Sequence, residues 1–144
     1  MILSSSEFVR RLEQAPDAGK LVINPYLSEC QQPASYDLRS ATDITLERGK
    51  CTLVPTLEWV ELPTDLAGTL MCRSSFGRKG VVLGGGYIDP GFRGQLTLCL
   101  TNIGDDLFVR KNDRVVQMIL HEVRGSGNGY AGRYQDSIGA VGAK

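Results

Sequence analysis

From Leu21 onward the chain is a succession of short β-rich runs: LVIN, CTLVPTLEWVEL, GTLMC, KGVVL, QLTLCLTN, DLFVR and RVVQMILHEV. Clusters of Gly, Pro, Asn and Asp separate them. Runs of this length, bounded by turn formers, pair into an all-β barrel or sandwich. No helical pattern of about 10–15 residues recurs between them, which argues against βαβ units. Only the N-terminus departs from this. Ser4 to Glu7 (SSSE) has capping-box spacing, and Phe8, Val9 and Leu12 form a short apolar stripe. A helix of about two to three turns, ending near Pro16, is expected there.

The run Gln95–Asn102 alternates, with Leu96, Leu98 and Leu100 on one face and Thr97, Cys99 and Thr101 on the other. The leucine face belongs in a core, and the semi-polar face is where a ligand-facing side chain would sit. The last stretch, GSGNGYAGRYQDSIGAVGAK, is glycine-rich and nearly free of aliphatics, so it builds no core of its own. The chain is therefore expected to divide into a folded unit, 1–124, and a flexible arm, 125–144.

At 144 residues the chain has the size of one compact domain. Its 16 basic and 16 acidic residues cancel, which argues against a protein that coats a nucleic acid polymer but leaves room for a local anion site. The cysteines (Cys30, Cys51, Cys72, Cys99) form no CxxC pair, and a single histidine, His121, cannot complete a zinc site. Four reduced thiols in or near the core are expected. No apolar stretch approaches ~20 residues and the N-terminus has no leader pattern. The reading is a soluble, cytoplasmic protein without a membrane partner.

Two segments carry candidate chemistry. CRSSFGRKG gathers Arg73, Ser74, Ser75, Arg78 and Lys79 around two glycines, a donor set suited to phosphate oxygens; it also reads as an ordinary solvated turn. GGGYIDPGFRG surrounds Asp89 with five glycines between Tyr87 and Phe92. Pro90-Gly91 is a tight turn, and Asp89 could serve simply to cap it.

Together with KLVINPYL, PASYDLR, ELPTDLAGTLMCRSSFGRKG, NDRVVQ and GRYQDSIGAVG, these segments resemble the dUTPase/dCTP deaminase superfamily over nearly the whole chain. The resemblance implies a distorted, jelly-roll-like β-barrel and a homotrimer with sites at subunit boundaries. KLVINP, RSSFGR and IDPGF are similar to the deaminase branch; NDRVVQ is closer to the dUTPases. Deaminases of this kind carry a glutamate where TLCL places Cys99, and a thiol with a reference pKa of ~8.5 is a poor proton shuttle. The resemblance therefore implies a magnesium-dependent dUTP diphosphatase, with dCTP deaminase (alone or bifunctional) and a silent dUTP- or dTTP-binding homologue as alternatives. It assigns water activation to Asp89 and phosphate contacts to Arg73, Ser74 and Gln117. Ser75 and Arg78 extend the donor set, and Phe92 lies beneath the deoxyribose. The hairpin backbone of Gly86, Tyr87 and Ile88 reads the pyrimidine, and Arg133, Tyr134 and Gln135 close over the triphosphate. Mg2+ is held mainly by phosphates; Asp37 either holds it through water or forms an internal ion pair.

Overall fold

The computed structural model describes residues 1–125 and 127–144. In chain order the elements are α1 (Ser5–Leu12), β1 (Val22–Asn24), a 3-10 turn (Ser28–Cys30), β2 (Gln31–Gln32), β3 (Ser35–Arg39), β4 (Ile44–Leu46), β5 (Cys51–Glu61) and β6 (Leu66–Cys72). After them come α2 (Ser74–Gly77), β7 (Val81–Leu83), β8 (Tyr87–Ile88), β9 (Arg93–Asn102), β10 (Leu107–Val109) and β11 (Arg114–Glu122). The chain is thus mostly β, as expected. Ser4 caps α1 by accepting the Glu7 N–H at 3.4 Å, while the Glu7 carboxylate turns to Arg10.

A four-stranded sheet runs β1-β5-β9-β7, and a five-stranded sheet runs β2-β3-β11-β6-β8. A small β10-β4 pair stands beside them. Among the described residues the pairing does not close into a barrel; the expected distorted barrel is realised as separate sheets over one core. Val54, Val60, Leu98 and Leu100 come from the first sheet, and Tyr36, Leu38, Met118 and Leu120 from the second, all in one buried cluster. On β9, Leu98 and Leu100 are fully buried as the alternation requires. Leu96 is only half-buried, because β5 and β9 slip register between Pro55 and Trp59. Pro55 has no N–H for the ladder, so a break there is where a central strand tolerates it. Thr56 fills the break: its hydroxyl accepts the Leu96 N–H at 3.0 Å and donates to the Glu58 carbonyl.

The strand β3 and its edge partner β2 went unread in the sequence, since SYDLR shows no apolar alternation. All five residues of β3 are nevertheless buried. Their polar groups are matched across the core. Glu58, on an inward position of β5, is fully buried and accepts the Arg39 N–H at 2.8 Å and the Arg39 Nε at 3.2 Å. Arg39 also donates to the Pro25 carbonyl. Burial pushes the Glu58 carboxyl above its ordinary value, against the opposing pull of Arg39. For the Glu58 carboxyl desolvation outweighs attraction, whereas the Arg39 guanidinium is held above its ordinary value by Glu58 against its own burial.

Glu58→Ala should cost about 3–5 kcal/mol, because it leaves the Arg39 guanidinium buried without its partner. Denaturant unfolding measures this; a loss below about 1 kcal/mol would contradict it. The raised Glu58 carboxyl binds its proton more tightly folded than unfolded. Its contribution is therefore fully present below pH ~4.5 and is lost as pH rises through the folded value. Melting temperatures of Glu58→Gln should accordingly fall less steeply above that pH than those of the unmodified chain.

Candidate functional site

The Asp89 turn is built by its own residues. The Phe92 N–H donates to the Asp89 carbonyl at 3.1 Å, with Pro90 and Gly91 at the centre of the turn. Gly91 has φ +81, and a Cβ there would lie 2.8 Å from the Gly129 Cα. Glycine is thus needed twice, for the left-handed backbone and for the approach of the arm. Among the described residues, no side-chain hydrogen bond is made by the Asp89 carboxylate. It is exposed and faces a cavity of about 620 Å³ rather than capping its turn.

Tyr87, Ile88, Phe92 and Tyr134 line this cavity with Asp89. Its β9 wall is formed by Gln95, Leu96, Thr97 and Cys99, with Leu53 from β5 beside them. Asp89 is the one charged residue in the lining. Phe92 is 7% exposed and packs edge-on against Tyr130, with ring centroids 5.6 Å apart. Gly86 sits at φ +123 and its carbonyl accepts the Leu70 N–H, which fixes the hairpin backbone beside Tyr87. Cys99 faces the cavity, as the alternation of the strand required. Burial pushes its thiol up, and Cys51 nearby adds to the effect.

The arm folds back along β9 in a defined conformation. The Gln95 N–H donates to the Ser137 carbonyl, the Gly139 N–H to Gln95 Oε1, and the Val141 N–H to Thr97 Oγ1. Gln95 and Thr97 were not foreseen as anchors, although their place on the semi-polar face of β9 was the signal. Among the described residues Arg133 donates only to the Lys144 carbonyl, and it is exposed. Gln135 is different, because its amide is engaged on both sides by the turn and the arm.

The remaining candidates gather elsewhere. Asp37, Arg73, Ser74 and Gln117 line a second cavity of about 350 Å³. Register brings them together: Asp37 pairs with Gln117 across β3 and β11, while Arg73 follows the end of β6. Asp37 is buried, with Arg73 Nε at 3.2 Å and Arg114 Nη1 at 3.6 Å. Burial pushes its carboxyl up, against the pull of both arginines. Asp37 thus forms the internal ion pair that was one of its two open roles. The SSFG segment after Arg73 forms α2 instead of a plain turn. It leaves Ser75 exposed and carries Arg78 into a third, open cleft with Arg48 and Lys79. Among the described residues no group of three His, Cys, Asp or Glu is arranged to hold a metal ion. No helix of the described residues is long and apolar enough to cross a membrane.

Residues 40–123 match the dCTP deaminase-like family. The dCTP deaminase of Pyrococcus furiosus is 36% identical over 135 residues, 82% of this chain and 86% of the relative. The chain belongs to the dCTP deaminase-like family. It thereby falls within the dUTPase/dCTP deaminase superfamily, whose enzymes serve dCTP and dUTP metabolism. Solved folds agree. The 2′-deoxycytidine 5′-triphosphate deaminase of Agrobacterium tumefaciens superposes with a TM-score of 0.70 at 24% identity over 83% of this chain. This chain spans 47% of the length of that protein. The EIAV dUTPase superposes with a TM-score of 0.63 at 21% identity, covering 80% of this chain and 98% of its own.

All four cysteines are free, but Cys51 is exposed, contrary to the expectation of four thiols in or near the core; it lies at the open start of β5. Alkylation near neutral pH should therefore label Cys51 first and Cys99 more slowly, since only the thiolate reacts. Peptide mass spectrometry reads the order, and faster labelling of Cys99 would contradict a neutral thiol in the cavity wall.

Proposed function

We propose that this member of the dCTP deaminase-like family hydrolyses dUTP to dUMP and pyrophosphate. The observation carrying this reading is the composition of the Asp89 cavity. It has one carboxylate, and its β9 wall offers a thiol raised by burial, with Gln95 and Thr97 already bonded to the arm. Hydrolysis at phosphorus needs one base. Water oxygen bonds to the α-phosphorus, Asp89 takes the proton, and the bond from that phosphorus to the bridging oxygen breaks to release pyrophosphate. Amino-group hydrolysis needs a group that both gives and takes protons beside the base, and Cys99 is poorly suited to that.

Most acceleration in such a transfer comes from neutralising phosphate charge, for which Arg73, Ser74 and Gln117 are the proposed donors, with Ser75 and Arg78 at the margin. Among the described residues no group of three His, Cys, Asp or Glu is placed to hold a metal ion, and Asp37 is paired with Arg73 and Arg114. Magnesium is proposed to enter on the triphosphate as part of the substrate. Phe92 lies against the deoxyribose in this reading, and Gly86, Tyr87 and Ile88 present backbone to the pyrimidine. The arm 125–144 is proposed to cover the nucleotide, with Arg133 and Tyr134 as its contacts.

We further propose a homotrimer. Asp89 and the arginine–serine donors line separate cavities of one protomer, which suits a site completed by a neighbouring copy. Exposed apolar side chains such as Met71, Val82 and Phe108 are available for that contact. The names of relatives such as the Pyrococcus enzyme favour a second reading, dCTP deamination, in which Asp89 would have to serve as the proton shuttle.

Asp89→Asn should slow pyrophosphate release from dUTP by at least ~10²-fold while leaving dUMP binding within about three-fold, since the amide keeps the shape but accepts no proton. Retained turnover would remove Asp89 from this role. Sedimentation should give three times 15.7 kDa, and a mass of 15.7 kDa would defeat the trimer.

A further inference from the structure

Gln135 stands out among the arm residues because its amide has no donor left for a phosphate. Its Oε1 accepts the Arg93 N–H at 2.8 Å. Its Nε2 donates to the Gly91 carbonyl at 2.9 Å and the Tyr130 carbonyl at 3.2 Å. Both donors of the amide and its acceptor are thus used, two of the three bonds on the turn that carries Asp89. The neighbouring backbone repeats the connection. The Tyr130 N–H donates to the Pro90 carbonyl at 2.7 Å and the Asp136 N–H to the Arg93 carbonyl at 2.9 Å. The Arg93 guanidinium forks onto the Asp136 carboxylate, with Nη2 2.9 Å from Oδ2.

We infer that Gln135 is a positioning residue for Asp89 rather than a triphosphate contact, and that the arm 129–137 and the turn 89–93 move as one unit. The turn needs such support at one end. Phe92 is buried in the core and holds the far side, whereas Asp89 is exposed and its carboxylate makes no side-chain bond among the described residues. Gly91 contributes a positive φ and no side chain; its N–H is held by the Leu62 carbonyl at 3.1 Å, which leaves its carbonyl for the arm to fix. Gln135 supplies from the arm what the turn lacks. Arg133, two residues earlier, has its guanidinium on the surface and bonded only to the Lys144 carbonyl, which leaves it free for phosphate. The arm then has two functions, one residue setting the base and another meeting the ligand.

This inference rests on the proposed dUTP hydrolysis for its kinetic consequence but not for its structural one. The test uses the full chain with Gln135→Ala, Gln135→Glu and Arg133→Ala. In Gln135→Ala, amide exchange of residues 91–93 and of 130–136 should accelerate together by at least ~10-fold, with the core strands unchanged. Gln135→Glu keeps the acceptor for Arg93 but sets a carboxylate against the Gly91 and Tyr130 carbonyls, so the arm should loosen there too. With dUTP, both Gln135 variants should lose about 10- to 100-fold in kcat with KM within about three-fold, the cost of a base displaced by about 1 Å. Arg133→Ala should instead raise KM. Unchanged exchange in residues 91–93 of Gln135→Ala would overturn the inference. So would a KM rise at unchanged kcat, which marks a substrate contact. If the unmodified chain does not turn over dUTP, the proposed activity fails, and the exchange measurement alone decides the role of Gln135.

Discussion

The buried Arg39–Glu58 pair sets the frame in which everything else is placed. It joins β3 of the five-stranded sheet to β5 of the four-stranded sheet through the interior, with both carboxylate oxygens on the Arg39 N–H. A glutamate with no exposure cannot slide relative to its partner without leaving a charge unpaired in the core. The sheets are thereby locked in one arrangement. That fixes Asp37, two residues before Arg39, relative to the β5–β9 wall that carries Cys99. Hydrophobic burial holds the domain together, but leucines and valines tolerate small sliding; this pair does not.

On that frame the chemistry separates into an apolar cavity with one carboxylate and a polar cavity rich in donors. The separation is physically sensible, because a carboxylate beside the arginines would lose its availability to an ion pair, which is what has happened to Asp37. Asp89 avoids this by projecting from a turn whose stiffness comes from Pro90, from the arm and from Gln135. The arm is accordingly more than a cover. It is bonded to β9 at Gln95 and Thr97, and its packing explains why position 91 has to be glycine.

Much of this was legible in the residues. The seven apolar runs marked seven strands, SSSE marked the helix start, and the alternation of β9 placed Cys99 on the face lining the cavity. Besides the short strands β2, β4 and β8, what escaped notice was polar. SYDLR is fully buried because its charges are matched by Glu58, Arg73 and Arg114 across other strands, and matching over such sequence distances leaves no local pattern. Glu58 did leave a trace: it falls in phase with Val54, Thr56 and Val60, so a charged residue on an inward position was there to be read. The anchoring of the arm could not be read from its composition. Glycine-rich sequence with few aliphatics suggests freedom, whereas here hydrogen bonds to β9 and the Asp89 turn supply the order that burial does not.

In the proposed function the cavity wall, with a thiol at position 99, serves phosphorus chemistry and not amino-group hydrolysis. Supplying the unmodified chain with dCTP as sole nucleotide, with magnesium, and quantifying ammonia tests this most directly. No ammonia above the protein-free control is expected, under conditions in which dUTP yields pyrophosphate. Steady, enzyme-dependent ammonia release from dCTP would contradict it.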